Sequence, residues 1–186
     1  MLDIREGQIL VHPIHGPAVV AEIRMRKFGS TLTRYVELSL VGEDLRVSVP
    51  VVRVEALGIR APFDADGLAS FLQVLRGQSA AEERQWSRRF KQNQERISTG
   101  DTMVLAATVR DLTRRKSYLG ISVAEKDQWR RALRPLASEL MIVLDLARDE
   151  AEAMIEGVVL ENGHRPRVIR GPVDELGTAT RLAETL

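Results

Sequence analysis

Few side chains in this sequence are arranged to do covalent chemistry. The histidines are His12, His15 and His164. His12 and His15 flank a Pro13-Ile14 step ahead of Gly16 and could share a metal, but no third ligand lies near them in sequence. They are expected instead to be turn histidines that cap backbone groups. Cysteine is absent, which excludes disulfides, thiolate zinc sites and a cysteine nucleophile. There is no phosphate-binding loop, no Gly-x-Gly-x-x-Gly, no His-Glu-x-x-His and no Gly-x-Ser-x-Gly. The acidic pairs Glu82-Glu83 and Asp149-Glu150 read as helix-terminus charge rather than acid–base dyads. The expectation is a protein that is not an enzyme, with no cofactor, no metal and no small-molecule substrate.

What the sequence does offer is binding chemistry. Arg84-Gln85-Trp86-Ser87-Arg88-Arg89-Phe90-Lys91 sets cationic groups beside two aromatic rings. On a helix, positions 84, 88 and 91 fall on one stripe, and Trp86 and Phe90, four apart, on a neighbouring one. Arginine binds phosphate bidentately and enters narrow grooves. An aromatic ring at the edge of such a surface can wedge against an unstacked base step. The plainer alternative is a core tryptophan packed on Phe90 beneath solvated arginines, and helical spacing alone does not separate the two.

Charge along the chain favours an anionic partner. The 186 residues carry 27 Lys and Arg against 26 Asp and Glu, a net charge of +1. That total conceals an asymmetry: Arg84–Lys116 holds nine basic and three acidic residues, a net +6, while Glu139–Leu186 holds ten acids and five arginines, a net −5. The first 60 residues are nearly balanced at +1. A basic middle suits an anionic surface, and the acidic end is expected to limit indiscriminate DNA binding. No apolar run approaches the roughly 20 residues needed to cross a bilayer, and the first residues lack a signal-peptide pattern. A cytoplasmic protein with no membrane partner is expected.

The elements that must position these residues fall into two blocks. Over residues 1–60, Ile9–Val11, Ala18–Ile23, Arg34–Leu40 and Leu45–Val49 read as strands separated by His15-Gly16-Pro17, Phe28-Gly29-Ser30 and Gly42-Glu43-Asp44 turns. Leu45, Val47 and Val49 would share one face. Such a run predicts a small, strongly bent antiparallel sheet or partial barrel. Over residues 61–160 the pattern turns helical. Asp64 or Asp66, Asp101 and Ser122 are N-cap candidates, the last with Glu125 completing a capping box. Ser79 with Glu82 predicts a further box ahead of the helix that carries Trp86. Pro135 should kink or break a long helix near Arg131, and a final helix is expected at about Arg148–Leu160. Residues 161–186, rich in Gly and Pro, read as a flexible tail. The fold class expected is α+β.

Several motifs in order resemble the CarD family of bacterial RNA polymerase-binding regulators. They are Gly7-Gln8-Ile9-Leu10-Val11-His12-Pro13-Ile14-His15-Gly16, Leu45-Arg46-Val47-Ser48-Val49-Pro50, Leu72-Gln73-Val74-Leu75-Arg76, Trp86-Ser87-Arg88-Arg89-Phe90-Lys91, Ser98-Thr99-Gly100-Asp101, Val109-Arg110-Asp111-Leu112 and Leu119-Gly120-Ile121-Ser122 with Glu125-Lys126. The resemblance spans about residues 4–145. It implies a Tudor-like N-terminal domain that binds the polymerase β subunit and a helical C-terminal domain on promoter DNA at the upstream edge of the bubble. Trp86 matches the family's minor-groove wedge. Arg89 and Lys91 match residues that grip the DNA backbone, with Arg88 between them. Arg26 matches a polymerase-facing arginine. The implied factor stabilises the open promoter complex, works as a monomer and reaches the nucleoid through polymerase.

Two departures stand out. Ser48 occupies a position where the family often has a polymerase-binding arginine, and Arg46, two residues earlier on the same strand face, is the candidate substitute. The chain beyond about Asp145 is longer than the resemblance leads one to expect. The competing reading is a free-standing DNA-binding repressor or architectural protein, which would footprint promoter DNA without polymerase.

Overall fold

The computed structural model describes residues 2–28, 31–42, 44–161 and 167–168. The expected tail over 161–186 therefore lies almost wholly outside the described residues. The architecture is α+β: a four-stranded antiparallel sheet followed by five helices.

The sheet is a meander of β1 (Ile9–His12), β2 (Gly16–Phe28), β3 (Thr31–Leu40) and β4 (Arg46–Pro50), paired in chain order and open rather than closed into a barrel. Period-two alternation on β3 turns Val36, Leu38 and Leu40 inward. They meet Leu10, Ala18, Val20 and Val49, and Ile4, Val54 and Ile59 complete this core. Val47 packs against it, whereas Leu45 precedes the strand and stays exposed. The register shifts between Val20, opposite Leu38, and Glu22, opposite Glu37, leaving Ala21 as a bulge. Ala18 and Val20 face the core before it; after it Glu22, Arg24 and Arg26 pair with or flank the outward Glu37 and Tyr35. One extra residue thus re-aims the even-numbered positions to the outer face.

The helices are α1 (Ala65–Arg76), α2 (Trp86–Ser98), α3 (Thr102–Tyr118), α4 (Val123–Leu144) and α5 (Arg148–Leu160). Asp64 caps α1 by accepting from the Gly67 N–H at 2.8 Å, and Asp101 caps α3 through Met103 and Val104, each at 2.9 Å. Ser122 and Glu125 form the capping box of α4. Phe71, Leu75, Leu105, Val109, Leu112, Leu133, Leu136, Leu140, Ile155 and Val159 make the second core. Trp129 belongs to it, donating from Nε1 to Thr113 at 2.9 Å with the Lys116 ammonium 4.0 Å above its ring.

Two local expectations give way to tertiary contacts. Ser79 and Glu82 start no helix: Ala81–Glu82 (β5) pairs in parallel with Arg167–Val168 (β6), and α2 begins at Trp86. Both members of the expected box are engaged elsewhere, the Ser79 hydroxyl by Arg114 and the Glu82 carboxylate by Arg115. Pro135 does not break α4, which runs unbroken through it. Buried Ala132, Leu133, Leu136 and Ala137 anchor the helix on both sides of it, enough apolar burial to offset a proline cost of about 3 kcal/mol.

Sheet and helices are joined by a compact seam. Arg60 pairs by backbone with Val11, covering the β1 edge. Its guanidinium donates to both carboxylate oxygens of Glu139, each at 2.7 Å, and to Thr102 at 2.8 Å. Glu139, 1% exposed, also accepts from the Phe63 N–H at 3.0 Å. Gly100, at φ +66°, lies so close to Pro13 that a Cβ there would stand 2.8 Å from the proline ring, so no other residue fits without displacing the seam.

Candidate nucleic-acid interface

Trp86 is the first residue of α2, where the helix start lifts it clear of the core. Its side chain is half-exposed, at 48%. The indole stacks on Phe90 one turn later, with ring centres 5.3 Å apart and planes 24° from parallel. Its Nε1–H donates to the Ser122 hydroxyl at 3.2 Å, so the N-terminal ends of α2 and α4 meet at this ring. The structure thus favours a surface ring over the core tryptophan, a role Trp129 fills instead.

Beneath the indole lies a polar cluster. The Ser122 hydroxyl donates to Glu125 at 2.9 Å and accepts from the Glu125 N–H at 3.2 Å. Glu125 is buried and accepts from Arg89 Nε at 2.8 Å and from the Ser122 N–H at 3.0 Å. Burial by itself pushes the Glu125 carboxyl up. The bonds from the Ser122 N–H, Arg89 and the Ser122 hydroxyl outweigh it and hold the group below the ordinary carboxylate value. A depressed folded pKa contributes stability above the unfolded value, near 4.5, and that contribution is lost as pH falls through the folded value. Acid titration of unfolding should therefore show stability declining below about pH 4.5. In Glu125→Gln that portion of the slope should vanish, with about 1–3 kcal/mol lost at neutral pH.

The cations expected at the DNA face separate into two groups. Arg88 and Lys91 extend into solvent, their side chains 70% and 80% exposed, in loose ion pairs of 4.0 Å with Glu83 and 3.9 Å with Glu95. Arg89 is only 6% exposed. It bonds Glu125, lies 3.3 Å from Glu82, and donates to the carbonyls of Glu83 and Arg84. Its guanidinium is directed into the protein rather than toward a backbone phosphate. Much of the +6 segment goes the same way. Arg96 and Arg110 pair with Asp111, Arg115 with Glu82 and Lys116 with Glu156, and Arg114 is fully buried. Net charge by segment overstated the surface charge. Conversely, the periodicity gave no sign of the exposed apolar side chains on either side of Ser122 in sequence: Val123, the first residue of α4, at 89%, and Leu119, in the turn before it, at 53%.

On the sheet's outer face, Arg24 and Arg26 both bond Glu37, Arg26 at 3.2 Å and 5.6 Å from the Tyr35 ring. Ser48 pairs across β3 with Glu37, and Arg46 with Ser39. The bulge at Ala21 is what gathers Arg26, Arg46 and Ser48 on one face. His12 caps its turn, Nδ1 accepting from the N–H groups of Ile14 and His15 at 3.2 and 3.3 Å. Burial, then the neighbouring His15, holds its pKa below the usual histidine value. Among the described residues no three His, Cys, Asp or Glu are grouped to hold a metal.

An open antiparallel sheet is thus seamed to a helical module that presents a tryptophan at its surface. The CarD-like/TRCF RID domain model matches residues 4–61, and the CarD C-terminal domain model matches residues 70–156. A relative in Bacillus subtilis (strain 168), YdeB, described as a candidate transcription factor, is 24% identical over 147 residues, covering 79% of this chain and 96% of its own. The chain belongs to the CarD family. Membership ties it to transcription regulation and to interaction with RNA polymerase. No helix among the described residues is long and apolar enough to cross a membrane.

Proposed function

We propose that this protein regulates transcription initiation by bridging the RNA polymerase β subunit and upstream promoter DNA. In this reading residues 1–60 bind polymerase through the face carrying Arg26, Arg46 and Ser48. Residues 61–160 contact DNA, with Trp86 as a minor-groove wedge and Arg88 and Lys91 on the phosphates. The observation that carries it is the half-exposed indole, backed by Phe90 and tethered to Ser122 beside exposed cations. Arg89 supports this surface from within. The protein acts by differential binding: contacts made better by opened than by closed DNA shift the equilibrium toward open, and about 1.4 kcal/mol of preference is tenfold. The few solvent-facing cations of α2 make DNA binding weak without polymerase, which disfavours a free-standing repressor.

The test is a real-time open-complex assay with polymerase on several promoters. Trp86→Ala should leave polymerase binding intact and shorten open-complex lifetime, by about tenfold if the ring supplies near 1.4 kcal/mol. Arg26→Glu should abolish the effect by weakening binding to the β-subunit lobe. An unchanged lifetime in Trp86→Ala rejects the wedge, and full lobe binding by Arg26→Glu rejects that residue's role.

A further inference from the structure

The contacts below Trp86 form a closed circuit. A serine hydroxyl has one proton to give and two lone pairs. In Ser122 all three are in use: the proton goes to Glu125, and the lone pairs receive the Glu125 N–H and the Trp86 Nε1–H. Glu125 is held by Arg89, and Arg89 holds the carbonyls of Glu83 and Arg84. Those carbonyls belong to the segment that leads directly into Trp86, so the path indole, Ser122, Glu125, Arg89, residues 83–84 returns to the indole. Arg89, Glu125 and the Ser122 backbone are thereby fixed relative to the ring they support. Such a circuit has an obvious use. A half-exposed indole has two side-chain torsions to freeze before it can bind, and freezing them in advance removes that cost from the binding step.

We infer that Ser122 is the positioning residue that sets the pose of Trp86, with Glu125 and Arg89 acting through it rather than on DNA. The inference rests on the wedge reading for its effect on initiation, though not for the tether itself. The tether is one hydrogen bond, so its loss should shorten open-complex lifetime on the order of two- to tenfold.

Ser122→Gly separates the tether from the cap, because glycine retains most of the N-cap preference and lacks the hydroxyl. Ser122→Thr keeps both. The full chain is labelled with 5-fluorotryptophan, which gives one fluorine resonance each for Trp86 and Trp129, assigned with Trp86→Phe. Ser122→Gly should shift or broaden the Trp86 resonance and leave that of Trp129 in place; Ser122→Thr should restore it. In the open-complex assay Ser122→Gly should shorten lifetime, Ser122→Thr should rescue it, and Ser122→Gly should add nothing on a Trp86→Phe background, where the ring has no N–H. An unmoved Trp86 resonance overturns the inference. So does an equal Ser122→Gly effect on the Trp86→Phe background, which would mark Ser122 as a helix cap alone. If Trp86→Ala itself leaves lifetime unchanged, the wedge reading fails, and the fluorine resonance still decides whether Ser122 sets the pose.

Discussion

Arg114→Met is expected to lower the unfolding free energy by about 3–5 kcal/mol, because three buried carbonyls would each lose a donor at a cost of about 1–3 kcal/mol. Arg114 is fully buried and meets no carboxylate among the contacts that fix it. Its guanidinium donates to the carbonyls of Leu75, Gly77 and Val159 and to the Ser79 hydroxyl, at 2.7–3.3 Å. Leu75 lies in the last turn of α1 and Val159 in the last turn of α5. Carbonyls there have no intrahelical donor, and the helix dipole places negative charge on them. One side chain from α3 therefore caps two other helices at once, with Arg110 adding a bond to Val74 at 3.0 Å. Burial, and then the nearby Arg110, lowers the Arg114 pKa, but arginine stays protonated in proteins. Methionine would fill similar space and leave three carbonyls in a dry site without donors. Lysine carries its three donors on one nitrogen and cannot span carbonyls of two helices as the guanidinium fork does. Urea unfolding reads the result as a lower midpoint at unchanged slope; a loss under about 1 kcal/mol would show that the capping bonds contribute little net stability.

Arg60→Ala is expected to loosen the seam between sheet and helices by about 3 kcal/mol. The value sits at the low end for a buried pair because 35% of the Arg60 side chain meets solvent, whereas the Glu139 side chain is 1% exposed. Without Arg60, Glu139 keeps the Phe63 N–H as its remaining bond partner in the seam. Calorimetry is expected to give one transition for the unaltered chain and two for Arg60→Ala, as the sheet and the helices unfold separately. Under the bridging proposal, the variant should still bind the β-subunit lobe in the initiation assay and still respond to DNA, yet stabilise the open complex less, since a bridge transmits orientation only while rigid. A single sharp transition in Arg60→Ala would show that the Pro13–Gly100 packing suffices to hold the seam.

What was legible in the sequence was local. Asp64, Asp101 and Ser122 cap helices because a cap needs only the next three residues. The four strands announced themselves through β-branched runs between turn residues, and the final helix expected at about Arg148–Leu160 is α5. What was not legible depended on residues far along the chain. Ser79 and Glu82 form an excellent box in isolation, but Arg114 and Arg115, more than thirty residues later, claim both side chains. Arg89 and Arg88 are indistinguishable by type, and burial of Arg89 follows from Glu125, 36 residues away. Trp86 could have been core or surface until α2 and α4 met at Ser122. The bulge at Ala21 had no composition signal, yet it decides which face Arg26 occupies.

The Arg60–Glu139 pair spans 79 residues of chain. At translation rates of roughly 5–20 residues per second, that separation is a wait of about 4–16 s between synthesis of the arginine and of its partner. The sheet's contacts are nearly all nearest-neighbour and can form during that interval, while the guanidinium remains solvated. Docking of the two halves through this pair can follow only once Glu139 has been synthesised, and until then the sheet stands with an open flank. A chaperone or protease that samples this chain during synthesis would meet the Pro13 side of the seam before the helices arrive to cover it.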